Sequence, residues 1–166
     1  MPRRSSQPPT DSPSGARVRA VRALARREHS AAELRRRLIA RGVPAPLADQ
    51  AVRECTEHGW QSDARYAEAM LRQRTMQSYG PLRIAAELAA ADVATPLIRR
   101  ALAVTETDWV QRAAELRARR FGAPPRCAAD WQRQYRFLVQ RGFSAEQASA
   151  ALRSAPKDSA PKDIEP

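Results

Sequence analysis

Residues 30–47 read SAAELRRRLIARGVPAPL. Ser30 and Glu33 form the Ser-x-x-Glu signature of a capping box, which opens a helix by satisfying its first orphan N–H groups. Leu34 and Leu38 stand four apart, on one face of that helix. Arg35, Arg36, Arg37 and Arg41 spread around the other faces. Gly42 is suited to the left-handed residue that ends a helix, and Val43 to the apolar contact that follows it. Pro44 and Pro46 forbid continuation and pre-set the first turn of a new helix. The passage reads as helix, sharp turn, helix.

Outward from this stretch the pattern returns every 50 residues. Leu34, Leu38, Val43, Pro46, Leu47, Ala51 and Val52 recur as Ile84, Leu88, Val93, Pro96, Leu97, Ala101 and Leu102. A third copy carries Leu138, Gly142, Phe143, Ala151 and Leu152. Such a period marks stacked supersecondary units that bury their apolar faces partly on their neighbours. A further helix precedes each turn pair. The first spans 17–27, with Val18, Val21, Leu24 and Ala25 on one side. The second starts at Ser62-Asp63 with Tyr66, Ala67, Met70 and Leu71, and ends at Gly80-Pro81. The third starts at Thr107-Asp108 with Trp109, Ala113 and Leu116, and a Pro-containing linker, 122–130, follows it. Closing helices are expected at 46–57, 96–103 and 145–152, the last opened by a second capping box, Ser144 and Gln147. Asp92 occupies the place of Gly42, where it tolerates the left-handed region at some cost.

No segment alternates apolar and polar residues, so no sheet is expected. The fold class is all-α: three tandem three-helix, helix-turn-helix-like repeats, 16–59, 60–105 and 106–153, in an elongated, curved array. Residues 1–15 and 154–166 are rich in Pro, Ser and charge and read as disordered tails.

The chain of 166 residues carries a net charge of +11, from 29 Lys+Arg against 18 Asp+Glu. The tails hold Arg3, Arg4, Lys157 and Lys162 against Asp11, Asp158, Asp163 and Glu165, so the whole excess lies in the repeats. Both lysines are in the tail, so every basic group of the repeats is arginine. The Arg-for-Lys choice suits a GC-rich genome, but the net excess points to an acidic or polyanionic partner. No apolar run marks a signal peptide or membrane span, and the protein is expected in the cytoplasm. Cys55 and Cys127 are too few for a disulfide framework. Cys55 and His58 are three apart but have no second pair to complete a metal site, and read as a buried thiol beside a solvent-facing ring. There is no phosphate loop, nucleophile motif or metal cluster, so no catalysis, cofactor or small-molecule substrate is expected.

The trihelical unit raises duplex reading by a recognition helix. The candidate helices argue against it: 96–103 offers only Arg99 and Arg100, and 145–152 only Glu146, Gln147 and Ser149, where base readout needs several forked side chains on one face.

Four strings in series resemble the RecX family of bacterial RecA modulators. They are Ser30-x-x-Glu33-Leu34-Arg35-Arg36-x-Leu38 ahead of Gly42; Glu57-His58-Gly59-Trp60-x-x-Asp63-x-Arg65-Tyr66-Ala67; Tyr79-Gly80-Pro81-x-Arg83-Ile84-x-x-Glu87-Leu88; and Tyr135-Arg136-Phe137-Leu138-x-x-Arg141-Gly142-Phe143. Asp92 departs from the glycine commoner in the family. The resemblance implies an all-α protein that binds RecA filaments on single-stranded DNA and suppresses strand exchange, ATP hydrolysis and coprotease activity, without cofactor or chemistry of its own. That would place it in homologous recombination and the SOS response. The runner-up is a nonspecific DNA-binding module with no dedicated protein partner. The expected filament or DNA contacts are Arg35, Arg36, Arg37, Arg41, Arg83, Arg133, Arg136 and Arg141. The aromatics, Trp60 included, are expected in core or inter-repeat packing, with loop-borne Tyr79 the exception.

Overall fold

The computed structural model describes residues 12–153. Among these residues there are nine helices and no strand. The first repeat comprises α1 (Pro13–Leu24), α2 (Ala31–Ile39) and α3 (Ala45–Glu57). The second comprises α4 (Asp63–Met76), α5 (Pro81–Ala90) and α6 (Thr95–Val104). The third comprises α7 (Trp109–Phe121), α8 (Ala128–Gln140) and α9 (Ala145–Arg153).

The 50-residue period reappears as hydrogen bonds. After α2, the Val43 N–H donates to the Leu38 carbonyl at 3.1 Å. After α5, Val93 does the same to Leu88 at 3.1 Å, and after α8, Phe143 to Leu138 at 3.2 Å. This bond closes a helix whose exit residue is left-handed. Gly42 (φ 84°), Asp92 (φ 59°) and Gly142 (φ 90°) take that conformation. The apolar residue after each one is buried. Sequence period, turn geometry and core placement thus coincide.

Three details differ from the sequence reading. The first helix begins at Pro13 and ends at Leu24, not 17–27. Ser12 caps it, accepting from the Gly15 N–H at 3.1 Å, and Pro13 fills the first-turn position where its missing N–H is harmless. Residues 13–15, assigned by composition to the tail, are therefore helical; residues 1–11 and 154–166 lie outside the described part. The capping box at Ser30 is half made. The Ser30 hydroxyl accepts from the Glu33 N–H at 3.0 Å, but the Glu33 carboxylate turns to Arg27 and His29, which offer stronger, charge-assisted bonds than a neutral N–H. The box at Ser144 and Gln147 is complete. Trp60 is not core: it is 45 % exposed, its ring stacked on His58 at 4.7 Å.

By contacts the described chain divides into two compact units: 12–71 with 87–103, and 72–86 with 104–153. The boundary falls inside α4 and α5, so the second repeat is shared between them. In the first unit, Ala16, Ala20 and Ala23 of α1 meet Leu34 and Leu38 of α2 and Ala48, Ala51 and Cys55 of α3. The alanines let α1 and α3 approach closely, and the two leucines supply about 2 kcal/mol of burial each. In the second unit, Ala113 and Leu116 of α7 pack with Leu138 of α8, Phe143, and Ala148, Ala151 and Leu152 of α9.

Candidate polyanion-binding surface

α2 presents its arginines because its other face is fixed in the core. Its N-terminus is held by a buried network. Besides accepting from Glu33, Ser30 donates to the Ala91 carbonyl at 2.8 Å. Gln61 donates to the His29 carbonyl at 3.2 Å and to Asp63 at 2.7 Å, and Asp63 accepts from the Ala31 N–H at 2.8 Å. Leu34 and Leu38 then face inward, and residues 35, 36, 37 and 41 outward.

The eight candidate arginines do not behave alike. Arg35 is paired with Asp49, Arg36 with Asp92 at 2.7 Å, and Arg133 with Asp130 at 2.9 Å. To reach a partner, each must first give up a carboxylate. Arg37 is half-buried and its Nε is shielded from water with no hydrogen-bond acceptor. With the exposed Arg41 it lines a cavity of about 200 Å³, together with Arg19, Arg22, Arg26 and Ala23. Arg136 is exposed.

Arg83 and Arg141 meet at Tyr79. Their guanidinium carbons lie 4.4 and 5.4 Å from its ring centre, and that of Arg74 lies 5.8 Å away, in cation–π range. The close approach has a backbone cause. The Gly80 N–H donates to the Arg141 carbonyl at 2.8 Å and the Leu82 N–H to the Gly142 carbonyl at 3.0 Å. A Cβ on Gly80 would strike Gly142, and one on Gly142 would strike Arg83. Two facing glycines thus bring the start of α5 against the α8–α9 turn and gather these arginines on one tyrosine. Arg141 also covers Phe137, at 5.4 Å.

Sequence reasoning missed Arg19, Arg22, Arg26 and Arg74. Arg19 and Arg22 stand three apart on one face of α1, and Arg26 follows in the turn beyond it; the apolar pattern of that helix marks its other side. Cys55 is buried and burial pushes its thiol pKa up, while His58 is exposed. Among the described residues no group of three or more His, Cys, Asp or Glu could hold a metal ion.

Three family models match the chain in order: the first RecX three-helix domain over residues 16–55, the second over 62–102 and the third over 106–152. The chain belongs to the RecX family. The regulatory protein RecX of Xanthomonas oryzae pv. oryzae (strain MAFF 311018) is 42% identical over 145 residues, covering 83% of this chain and 87% of that protein. The regulatory protein RecX of Stenotrophomonas maltophilia (strain R551-3) is 40% identical over 141 residues, covering 84% and 86%. The crystal structure of RecX from Lactobacillus salivarius matches with a TM-score of 0.72 at 18% identity, over 84% of this chain and 94% of that one. At that identity the match concerns the fold: RecX repeats keep their helices while most side chains change. Among the described residues no helix is long and apolar enough to cross a membrane.

Proposed function

We propose that this RecX-family regulator binds RecA filaments on single-stranded DNA and lowers their recombinase, ATP-hydrolysis and coprotease activities. It thereby tunes homologous recombination and the SOS response in the cytoplasm, without a cofactor or chemistry of its own. The observation that carries this reading is the succession of three RecX domains across residues 16–152. The basic excess of the repeats supports it, since a DNA-loaded filament is a polyanion and opposite charge steers encounter. Within the contact set, Arg37, Arg41, Arg136 and Arg141 engage the filament directly, with Arg83 gathered beside Arg141 on Tyr79. Arg35, Arg36 and Arg133 join only by leaving their carboxylates.

RecA's single-stranded-DNA-dependent ATP hydrolysis, measured with substoichiometric amounts of this protein, tests the proposal. Loss of hydrolysis well below one regulator per RecA supports action on the filament. No loss, or loss only when the protein has coated the DNA, overturns it in favour of a nonspecific DNA-binding module.

A further inference from the structure

We infer that the arginine-lined cavity between α1 and α2 is a phosphate subsite that seats one phosphodiester of a nucleic-acid strand, with the neighbouring phosphates on its rim. Arg19, Arg22 and Arg26 form one flank, Arg37 and Arg41 the other, and buried Ala23 lies between them.

The first argument is charge. No carboxylate lines this cavity, and none of its five guanidiniums is ion-paired among the described residues. The surrounding acids are engaged elsewhere: Glu54 with Arg17, Glu33 with Arg27, Asp49 with Arg35, Asp92 with Arg36 and Glu28 with Arg65. Five like charges around one space repel, and the arrangement calls for an anion. The second argument is unused hydrogen-bonding capacity. The Arg37 Nε makes no hydrogen bond, and an oxyanion in the cavity that Arg37 lines would give its guanidinium acceptors.

Helix dipoles account for part of the pattern. Arg22 and Arg37 stand in the last turns of α1 and α2, where a cation is favoured. They do not account for Arg19, nor for the convergence of both flanks on one space.

Size identifies the occupant. At about 200 Å³ the cavity is smaller than the range of about 300–1,000 Å³ typical of sites for whole small molecules. It suits a single oxyanion group. One such group cannot balance five arginines, whereas a strand brings a further charge with every nucleotide. The exposure of the five fits this division: Arg19 and Arg37 are half-buried, while Arg22, Arg26 and Arg41 are exposed and free to reach adjacent phosphates. The planar fork of arginine matches phosphate oxygens two at a time. This site needs no protein partner and does not rest on the RecA reading.

The test is fluorescence anisotropy of the full chain with a labelled oligo-dT strand across a salt series, without RecA. For Arg19→Gln/Arg37→Gln/Arg41→Gln the expected result is at least about tenfold weaker binding and a log–log salt slope shallower by about 2, since each lost phosphate contact on a single strand removes about 0.7. Its Tm should hold or rise, because repulsion is relieved. A control with the same charge change outside the cavity, Arg17→Gln/Arg53→Gln/Arg112→Gln, should lose markedly less slope. If the cavity variant misfolds, Arg22→Gln/Arg26→Gln on the exposed rim replaces it, with an expected slope change of about 1.4. An unchanged slope in a folded cavity variant overturns the inference. So does intact strand binding combined with lost binding to an acidic protein surface, which would make this a carboxylate site. Inorganic phosphate at matched ionic strength should not displace the strand; full displacement would mean a free-anion site and overturn the strand assignment.

Discussion

Two glycines set different limits on the chain. Gly42 has φ 84°, with nothing within 4 Å of where a Cβ would stand. Gly42→Ala therefore costs only left-handed strain, about 1–2 kcal/mol. Gly80 has no positive φ, yet a Cβ there would land on the Gly142 carbonyl and the Phe143 N–H. Gly80→Ala must move α5 off the α8–α9 turn and break both backbone bonds between them, an expected loss of about 3 kcal/mol. Urea midpoints of the two variants check the order; a smaller effect at Gly80 would contradict the close approach. His29 makes a second residue-scale prediction. Its ring is buried and Nδ1–H donates to Glu33 at 3.1 Å. Burial first, then the Arg27 charge, hold its pKa below the ordinary 6.5. The unfolded chain thus takes up this proton at a higher pH than the folded one. Stability from His29 is complete above about pH 6.5 and falls as pH drops through the window beneath it. Glu33 acts at more acid pH: burial opposes ionisation, but Arg27 and His29 hold its pKa below 4.5. The Tm should fall between about pH 7 and pH 5.5 in the wild-type chain and fall less in His29→Gln. Equal slopes would show that the ring titrates normally in the fold.

At the scale of elements, the same capping residue does different work in two repeats. Ser144 only caps α9, so Ser144→Ala should cost about 1 kcal/mol. Ser30 caps α2 and also donates to the Ala91 carbonyl at 2.8 Å in a buried site. Its removal strands an acceptor as well as a helix end, and Ser30→Ala should cost about 2 kcal/mol. Denaturant unfolding of the pair measures the difference, and equal values would mean that the Ala91 bond contributes nothing. The helices were legible because each boundary has a local cause: Ser30, Gly42, Pro81, Gly142 and Ser144 act through their own backbone or the next turn. What escaped was non-local or masked by composition. Ser12-Pro13 is a sound helix start, but it sits in a Pro- and Ser-rich run that reads as tail. Glu33 has the spacing of a capping box, yet Arg27 and His29 draw it away, and no pattern within 30–33 records that competition. The division into two units through α4 and α5 has no sequence signal at all, since the 50-residue period describes repeated helices and not which of them share contacts.

For the whole molecule, the sequence made the sign of the charge plain but not its allocation. Eight arginines looked equivalent in the linear chain. In three dimensions Arg35, Arg36 and Arg133 meet Asp49, Asp92 and Asp130, while Arg41, Arg136 and Arg141 meet no carboxylate among the described residues. Two of these partners lie 14 and 56 residues away, where helical periodicity cannot find them, while Asp130, three before Arg133, lies within its reach. The distinction separates two kinetic effects. Neutralising either triple to Gln lowers the net charge by the same amount, so long-range steering, and with it the association rate with a RecA filament, should fall equally. Dissociation depends on contacts made after docking. A paired guanidinium must break a surface ion pair of about 0–1 kcal/mol to engage a new partner, so its net gain is smaller by that amount. An unpaired one adds a charge-assisted bond of about 1.5–3 kcal/mol at no such cost. Arg41→Gln/Arg136→Gln/Arg141→Gln should therefore raise the off-rate more than Arg35→Gln/Arg36→Gln/Arg133→Gln, by about tenfold at the middle of that ion-pair range. Stopped-flow association and dissociation with filaments on single-stranded DNA separates the two rates. Equal off-rates would mean that filament binding reads only the net charge of the repeats, and that the allocation of arginines to carboxylates has no bearing on it.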